Sequence, residues 1–427
     1  MADYDQNAYA SSLAGFYVTI LIRNNESNAA FDVLRLFGEG GPFRPTEYVY
    51  ARLFQAICNR KQLGPGDEER VEYRNASDVR LVWKDLLKRA VETPGLVSTY
   101  GLFYSLHVLA KGRPGDRWYA FDLIRNHLGL AEPGERTLPR QANLNPVTLN
   151  AVLLLCLITR KYHLCIHYVL QLTDEAVAEN NKSIIDTGHM EKVLQSYASL
   201  VAAQSVGESD RAVKTLEWMH EYSALGWNVE PSATAYGWGL MACWKGGHWA
   251  NAVRIVELMT GCHAEDFIDS PQCSPPRLDE RSKGRMIVPN ARDMSCLLRA
   301  ALASGEVANM RQCLRMGAFF GDLRSRGMAS MEIYLTGGDH SDSAAAKKEN
   351  QYYVTQVAWE LVKVLRCVLK EGDSGANASE MGKWRKLRGV ARKGTTVHFV
   401  GDHDPTHMQV VDRRMSYHRR GPTDELH

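Results

Sequence analysis

The stretch PSATAYGWGLMACWKGGHWANAVRIVELM, Pro231–Met259, decides the predicted fold. Its first half has apolar residues every three or four positions and begins after Ser232, whose hydroxyl suits a helix N-cap. The KGGH run at Lys245–His248 breaks that pattern, and a second apolar stripe follows from Trp249 to Met259. The stretch therefore predicts two short amphipathic helices joined by a tight turn. A hairpin this small cannot bury its apolar face alone, so we expect stacked neighbours.

Other segments repeat the same plan. Pro289–Leu314 has a proline, a short polar residue, a helix, a glycine turn at Gly305 and a second helix, and Val147–Leu172 supplies both helices of another unit. In the unit that begins at Leu13, the apolar residues Phe16, Ile20 and Leu21 mark the first helix. Further units are predicted at Leu13–Phe37, Pro45–Cys58, Ser98–Leu130 and Glu191–Ser223.

These hairpins resemble the pentatricopeptide repeat family. VTLNAVLLLC at Val147–Cys156, PSATAYGWGL at Pro231–Leu240 and STYGLFYSLHVLAKG at Ser98–Gly112 are similar to the first helix of that repeat. WANAVRIVELM at Trp249–Met259, RWYAFDLIRNHL at Arg117–Leu128 and DRAVKTLEWM at Asp210–Met219 are similar to the second helix. The resemblance covers roughly Leu13–Leu323. It implies an all-α, right-handed α-solenoid of helix-turn-helix repeats, like those of pentatricopeptide and tetratricopeptide proteins.

The predicted organisation has three parts. Residues 1–330 form an array of about six to eight hairpins, with insertions near 62–75, 131–145, 173–189 and 262–287. Residues 331–371 form a linker and a C-terminal helix that caps the array, because an end repeat must cover an apolar face. Residues 372–427 are rich in glycine, serine, lysine and arginine, and we expect a basic, disordered tail.

Composition gives no global argument for a polyanionic partner. The chain has 427 residues and a formal charge of +2, so any electrostatic attraction must be local. Nine cysteines without a CxxC pair are interpreted as small apolar residues in a reducing compartment. No apolar run reaches the length of a membrane span, and no presequence is visible.

The family resemblance implies a function in single-stranded RNA binding. In that family a first-helix residue and the last residue of the repeat together contact one base edge, which unstacked bases expose. The first-helix positions here are Ala51, Gly101, Asn150, Gly237 and Ser295. The partner positions are Thr46, Asn145, Ser232 and Asn290.

These positions fit the family only in part. Asn150, Ser295 and Asn290 have side chains that can hydrogen-bond to a base, whereas Ala51, Gly101 and Gly237 do not. Asn290 and Ser232 also follow prolines, where helix N-capping alone explains them. Strict base-by-base reading is therefore not expected, and recognition by shape, backbone and stacking remains.

Two further features of the sequence have a functional and a structural interpretation. We interpret three tryptophans as packing residues rather than as a base-stacking platform: Trp238, Trp244 and Trp249. The tail places basic residues around Trp384, which suits phosphate contact with stacking, or else a solvated tail. The basic candidates for RNA contact are Lys383, Arg385, Lys386 and Arg388.

Enzymatic patterns are not found. The sequence has no phosphate-binding glycine loop, no HExxH or GxSxG motif and no zinc-deaminase signature. The expected function is non-catalytic RNA binding without a cofactor or metal, in organellar RNA stability, processing or translation. The resemblance implies a mitochondrial, fungal-type member in the matrix, with a mitochondrial transcript or ribosomal RNA, and the mitochondrial ribosome or RNA-processing proteins, as partners.

Two alternatives stay open. The chain could be a protein-interaction scaffold or a structural subunit of a mitochondrial ribosome or other complex. A positive stripe beside Asn150 would favour RNA, and an apolar or mixed surface would favour a protein. The weaker alternative is a metal-dependent nuclease built in the tail around His398, Asp402, His403, Asp404 and His407.

Overall fold

A computed structural model describes residues 2–24, 26–36, 45–60, 68–93, 95–201, 207–269, 276–279, 286–325, 331–336, 344–371 and 378–397. Within these ranges the chain forms 17 α-helices, one 3-10 helix and no β-strand. The prediction of an all-α fold is therefore confirmed. The chain divides into two compact units. The first contains Met1–Leu200 and Glu217–Ala235, and the second contains Val201–Leu216 and Tyr236–His427.

The first unit is built from consecutive helix pairs. Helix α3 packs against α1 and α5, α5 packs against α7, and α7 packs against α9. Each of α1, α3, α5 and α7 also packs against the helix that follows it. The helices are α1 Ala2–Arg23, α2 Ser27–Leu36, α3 Glu47–Cys58, α4 Glu68–Ala90, α5 Thr99–Lys111, α6 Pro114–Leu128, α7 Pro146–Ile158, α8 Tyr162–Ala178 and α9 Thr187–Leu200.

Local sequence explains where these pairs turn. Ser98 caps α5 by accepting a hydrogen bond from the Gly101 amide at 3.1 Å. Helix α6 begins at Pro114, which needs no amide partner in the first turn, and ends before Gly129 in the left-handed conformation at φ 64°. The core of the unit includes the fully buried rings of Trp83, Tyr50 and Phe54. Burial of these large rings stabilises the packing of α3 on α4.

Helix α10, Gly207–Ala224, has residues in both units. The second unit continues with helices that surround α13 and α16. Helix α13 packs against α12, α14 and α16, and α16 packs against α14, α15 and α17. These elements are α11 Ala233–Gly246, α12 Trp249–Thr260, the 3-10 helix Ala264–Phe267, α13 Ala291–Ser304, α14 Val307–Ser325, α15 Ile333–Thr336, α16 Ala344–Glu371 and α17 Ala378–Val397.

The hairpin predicted from Pro231–Met259 is confirmed as α11 and α12. The Ser232 hydroxyl accepts a hydrogen bond from the Ala235 amide at 3.1 Å, which is the predicted N-cap. Gly247 makes the turn at φ 75°, a conformation that favours glycine. The two helices are joined in the interior because the Tyr236 hydroxyl donates to the Leu258 carbonyl at 3.1 Å.

The insertion predicted near 62–75 is wrong for residues 68–75, which form the first two turns of α4. Polar residues hid this helix in the sequence, but Asn75 and Ala76 are buried there. Asp78, one turn later, forms an ion pair with Arg60 at 2.8 Å. Residues 62–67 lie outside the described ranges. Residues 131–145 form no helix, and residues 173–189 are helical up to Ala178 and again from Thr187.

The described part of the insertion at 262–287 has defined structure. It contains the 3-10 helix Ala264–Phe267 and an antiparallel bridge between Cys262 and Leu278. Across the same segment, Arg277 Nη2 and Asp266 Oδ1 form an ion pair at 2.9 Å. Contacts between its two described parts therefore order this segment of the insertion.

The largest correction concerns the C-terminal part of the chain. We predicted a disordered tail from residue 372, but Ala378–Val397 form helix α17, which packs against α16. Met381, Trp384, Leu387 and Ala391 are buried along one face of α17. Their spacing is helical, and the basic residues between them obscured it. Residues 398–427, including the histidine and aspartate residues considered for a nuclease, lie outside the described residues.

Candidate nucleic-acid interface

The polar residues predicted at repeat ends are placed at helix starts. Asn145 Oδ1 accepts from the Thr148 amide at 2.8 Å, and Asn290 Oδ1 accepts from the Asp293 amide at 3.1 Å. Thr46 is the N-cap residue of α3 but makes no side-chain cap bond. The helix caps therefore use the acceptor oxygens of two asparagines that we predicted to contact bases.

Ser232 has a second hydrogen bond beside its cap. Its hydroxyl donates to Glu191 Oε1 at 2.5 Å, across to α9. A base reader at this position would have to share a hydroxyl that already serves both groups. The structural role of Ser232 is thus complete without RNA.

Two predicted first-helix positions are glycines because neighbouring side chains occupy the space. A Cβ atom on Gly101 would lie 3.2 Å from Ser98 Oγ and 3.4 Å from the Phe54 ring. A Cβ atom on Gly237 would lie 3.1 Å from Asp293 Oδ1. Glycine at these positions allows close helix packing, which explains why neither has a side chain that could bind a base.

The remaining first-helix positions differ in exposure. Ser295 is only 1% exposed in α13, and Ala51 is half-buried in α3. Asn150 is exposed on α7. The large exposed neighbours of Asn150 on the same helix are Val147 and Ile158. Of the five first-helix positions, Asn150 alone combines exposure with a hydrogen-bonding side chain, and its helix surface is otherwise apolar.

A row of aromatic and polar side chains crosses from α3 to α5, in which Tyr48 and Arg52 are exposed and the others are half-buried. Arg52 Nε donates to the Tyr48 hydroxyl at 2.9 Å, and Gln55 Nε2 donates to the Tyr104 hydroxyl at 2.8 Å. The rings of Phe103 and Tyr104 lie 5.0 Å apart, and the Phe103 ring lies 6.4 Å from His107. We call these residues the aromatic row: Tyr48, Arg52, Gln55, Phe103, Tyr104 and His107.

The aromatic row carries little charge near neutral pH. Burial, with a smaller contribution from Lys111, lowers the pKa of His107, so its ring is neutral. Arg52 is the only cation in the row. Flat rings held by hydrogen bonds can stack on bases or pack against a protein, so the row itself does not favour either partner.

A cluster of basic residues lies on α17. Lys383, Arg385 and Lys386 are exposed, and Arg388 is half-buried. The single acidic residue of α17, Glu380, is buried and forms an ion pair with Arg315. Further exposed basic residues on α16 and α17 are Lys363, Arg366, Lys370, Arg392 and Lys393. We call the exposed basic residues of these two helices, together with Arg388, the basic surface.

A buried network holds α17 in place. Arg315 Nε and Nη2 lie 2.9 and 3.2 Å from the two carboxylate oxygens of Glu380. Both side chains are less than 10% exposed, and Arg315 also donates to the carbonyls of Phe267 and Ile268. Trp384 lies beside this network and is buried, so it cannot stack on an RNA base as we considered. The basic surface therefore sits on an anchored helix.

A second basic region lies between α4 and α6 in the first unit. Two adjoining cavities of about 590 and 530 Å³ share Ser77 in their walls. Arg80 lies over the Tyr119 ring and Arg113 over the Tyr73 ring, at 5.3 and 5.1 Å. The basic residues that line the cavities are Arg70, Arg74, Arg80, Lys84 and Arg113. Repeat patterns in the sequence did not predict this region, in part because Arg70 and Arg74 come from the segment interpreted as an insertion.

The predicted packing role of the three tryptophans agrees with their contacts. Trp249 is buried and donates through Nε1 to Gln312 Oε1 at 2.9 Å. The Arg292 guanidinium lies 4.6 Å from the Trp238 ring centre, and that of Arg299 lies 4.4 Å from the Trp244 ring centre. These cation–π contacts connect α11 to α13 and cover the ring faces.

Metal-ligating side chains do not cluster in the part of the chain that the structure describes. No group of three or more histidine, cysteine, aspartate or glutamate side chains in these ranges could hold a metal ion. Burial raises the pKa of Cys165 to about 11 and that of Cys313 to about 12, so these thiols are not activated. Among the helices described, none is long and apolar enough to span a bilayer.

The resemblance to pentatricopeptide repeats rests on the hairpins alone. A scan against protein-family models finds no match for the chain, and a search of curated proteins finds no significant match either.

Proposed function

We propose that this chain is a non-catalytic, single-stranded RNA-binding protein built as a right-handed α-solenoid of pentatricopeptide-like repeats. The packing of α1, α3, α5 and α7 in succession, each with its following helix, supports a repeat architecture. RNA protection or presentation requires only a stable surface that holds a strand, because a bound protein blocks nucleases and keeps nearby bases unpaired.

The basic surface carries this proposal. A protein with a formal charge of +2 places eight exposed lysines and arginines and the half-buried Arg388 on two packed helices. Glu371 pairs with Arg311, and Glu360 pairs with Arg299 and with Lys363, which is one of the eight. Such a surface attracts a phosphate backbone and releases its counterions on binding. Its anchoring by Arg315 gives the cations fixed positions, which lowers the conformational entropy lost when RNA binds.

Base contacts are proposed at the aromatic row and at Asn150. The exposed Tyr48 ring can stack on an unpaired base, and the Asn150 amide can donate to and accept from a base edge. Asn145 and Asn290 use their side-chain oxygens in helix caps. Their side-chain NH2 groups can still donate to a base. The buried Ser295 is a weaker candidate than Asn150.

The biological setting is proposed from the resemblance alone. A mitochondrial transcript or ribosomal RNA in the matrix would be the ligand, and the function would be RNA stability, processing or translation. The proposal includes no enzymatic step, no cofactor and no metal.

The test compares three nucleic acids and three proteins. The three proteins are the purified chain, Asn150→Ala and a variant with Lys383, Arg385 and Lys386 changed to glutamine. Each is titrated with random single-stranded RNA, duplex RNA and single-stranded DNA. We expect tightest binding to single-stranded RNA and at least tenfold weaker binding by the glutamine variant. Equal binding of all three nucleic acids, or no binding, would contradict the proposal.

A protein-interaction scaffold, or a structural subunit of a mitochondrial ribosome, is the second candidate. The surface near Asn150 favours it, because Val147 and Ile158 are exposed there and the aromatic row has one cation. A scaffold would bind a protein through this mixed surface. Co-purification of a stable partner from cells after nuclease treatment, with no RNA binding in the titration, would select this function.

A further inference from the structure

The first helix of the chain has an apolar face that points into solvent. Helix α1 buries Ala14, Val18, Leu21 and Ile22 on the side that faces α2 and α3. Its opposite side carries five large apolar residues. Their exposed fractions are 69% for Tyr9, 55% for Leu13, 69% for Phe16, 54% for Tyr17 and 41% for Ile20. We call these five the α1 stripe.

The α1 stripe is continuous along the helix. Its residues follow at intervals of four, three, one and three, which places them within one arc of about 100° on an α-helix. From Tyr9 to Ile20 the stripe covers three turns, roughly 16 Å. The exposed residue Ser12 lies outside this arc. A helix that is apolar on both sides is normally buried on both sides.

The geometry points to a second copy of this chain as the partner that covers the α1 stripe, in a two-fold symmetric dimer. In such a dimer each patch meets the same patch of the other copy. A charged patch would then face its own charge, which disfavours the basic surface as a dimer contact. The α1 stripe has no charged residue, so it can pair with itself without repulsion.

The register of the pairing follows from the symmetry. If the two helices run antiparallel, the two-fold axis passes near the middle of the stripe, between Leu13 and Phe16. Leu13 then lies near the partner's Phe16, and Tyr9 lies near the partner's Ile20. Aromatic rings meet aliphatic side chains along the contact, an arrangement that packs large and small groups together.

The area is sufficient for a weak dimer. Aromatic side chains bury about 150–250 Å² each when fully covered, so five residues exposed by about half contribute roughly 500 Å² per copy. Two copies bury about 1,000 Å², which is near the lower limit for a specific interface. We therefore expect dissociation in the micromolar range and a monomer at high dilution.

Sedimentation velocity of the full-length chain between about 0.5 and 50 µM tests this inference. The expected mass rises from 47.9 kDa towards twice that value. Phe16→Glu should remain a monomer at every concentration, because it places a carboxylate against the partner's Leu13 and within about one helical turn of the same carboxylate on the other copy. Because Phe16 is exposed in the single chain, the circular dichroism spectrum and melting temperature of the Phe16→Glu variant should match those of the wild type. Leu81→Glu, at an exposed apolar residue of α4 outside the stripe, should dimerise like the wild type.

A charge-complementation experiment makes the test specific for self-pairing. Phe16→Lys should also be monomeric alone, but an equimolar mixture with Phe16→Glu should form a dimer again. A monomeric wild type at 50 µM would overturn the inference, and so would a dimer that Phe16→Glu leaves intact or a mixture that stays monomeric. The assay contains no RNA, so its result does not depend on the proposed function.

Discussion

The buried ion pair between Arg315 and Glu380 allows a direct test of the anchored α17. Arg315→Met would remove the guanidinium and leave the Glu380 carboxylate buried in the contact between α14 and α17. Breaking one side of a buried pair costs about 3–5 kcal/mol. The two carbonyls that accept from Arg315 lose their donor as well. We expect α17 to detach before the rest of the chain unfolds.

Hydrogen exchange of the α17 backbone amides measures this cost. A loss of 3–5 kcal/mol in the free energy of local opening corresponds to roughly 100- to 5,000-fold faster exchange. The double variant Arg315→Met, Glu380→Leu replaces the pair by apolar groups and should recover most of the protection. Arg385→Met, on the exposed side of the same helix, should change the free energy by less than about 0.5 kcal/mol.

The reasoning would be refuted if Arg315→Met left exchange in α17 within threefold of the wild type. That result would mean that solvent reaches the pair, or that α17 exchanges as fast as a free segment in both proteins. Fast exchange throughout α17 in the wild type would restore the original expectation of a disordered tail.

Three further predictions concern the first unit. Gly112→Ala should destabilise it by about 1–3 kcal/mol in urea unfolding, because the new Cβ would lie 2.7 Å from that of Ala76, whereas Gly115→Ala meets nothing within 4 Å and should be neutral or slightly stabilising. Burial lowers the pKa of His127 in the folded chain. The unfolded chain therefore binds more protons below about pH 6.5, so the melting temperature should fall from pH 7 to pH 5.5. The fall should be smaller in His127→Gln. Asn150→Ala should preserve folding and change base preference in RNA titrations by about 1 kcal/mol.

Each of these predictions has an outcome that contradicts it. Equal effects of the two glycine substitutions would mean that α4 packs less closely against the turn between α5 and α6 than described. A melting temperature that is flat between pH 7 and pH 5.5 would show that His127 is accessible to water. Unchanged base preference with normal affinity would remove Asn150 from the RNA site.

Periodicity in the sequence predicted the helices well where each had one apolar face. The hairpin of α11 and α12 is an example, because Ser232, Gly247 and the apolar stripes each specify a local feature of the chain. Helix α17 was missed for the opposite reason. Its buried Trp384 and Leu387 stand among lysines and arginines, and composition outweighed spacing.

The candidate site was less predictable than the helices because exposure depends on neighbouring repeats. Gly101 and Gly237 occupy positions of a base reader in the repeat pattern, but Phe54 and Asp293 from other helices lie beside them. Likewise, Phe16 and Leu21 look alike in the sequence, yet Leu21 is buried and Phe16 is exposed. Tertiary packing decides such cases, and no local pattern records it.

The salt dependence of RNA affinity tests the proposed function most directly. Each cation that neutralises a phosphate of single-stranded RNA contributes about −0.7 to the slope of log K against log salt concentration. Changing Lys383, Arg385 and Lys386 to glutamine should therefore make the slope shallower by about 2. A control with the same loss of charge, Arg136, Arg211 and Lys214 to glutamine, removes exposed residues outside the basic surface and should keep the wild-type slope. Equal slopes for the wild type and the basic-surface variant would contradict the account.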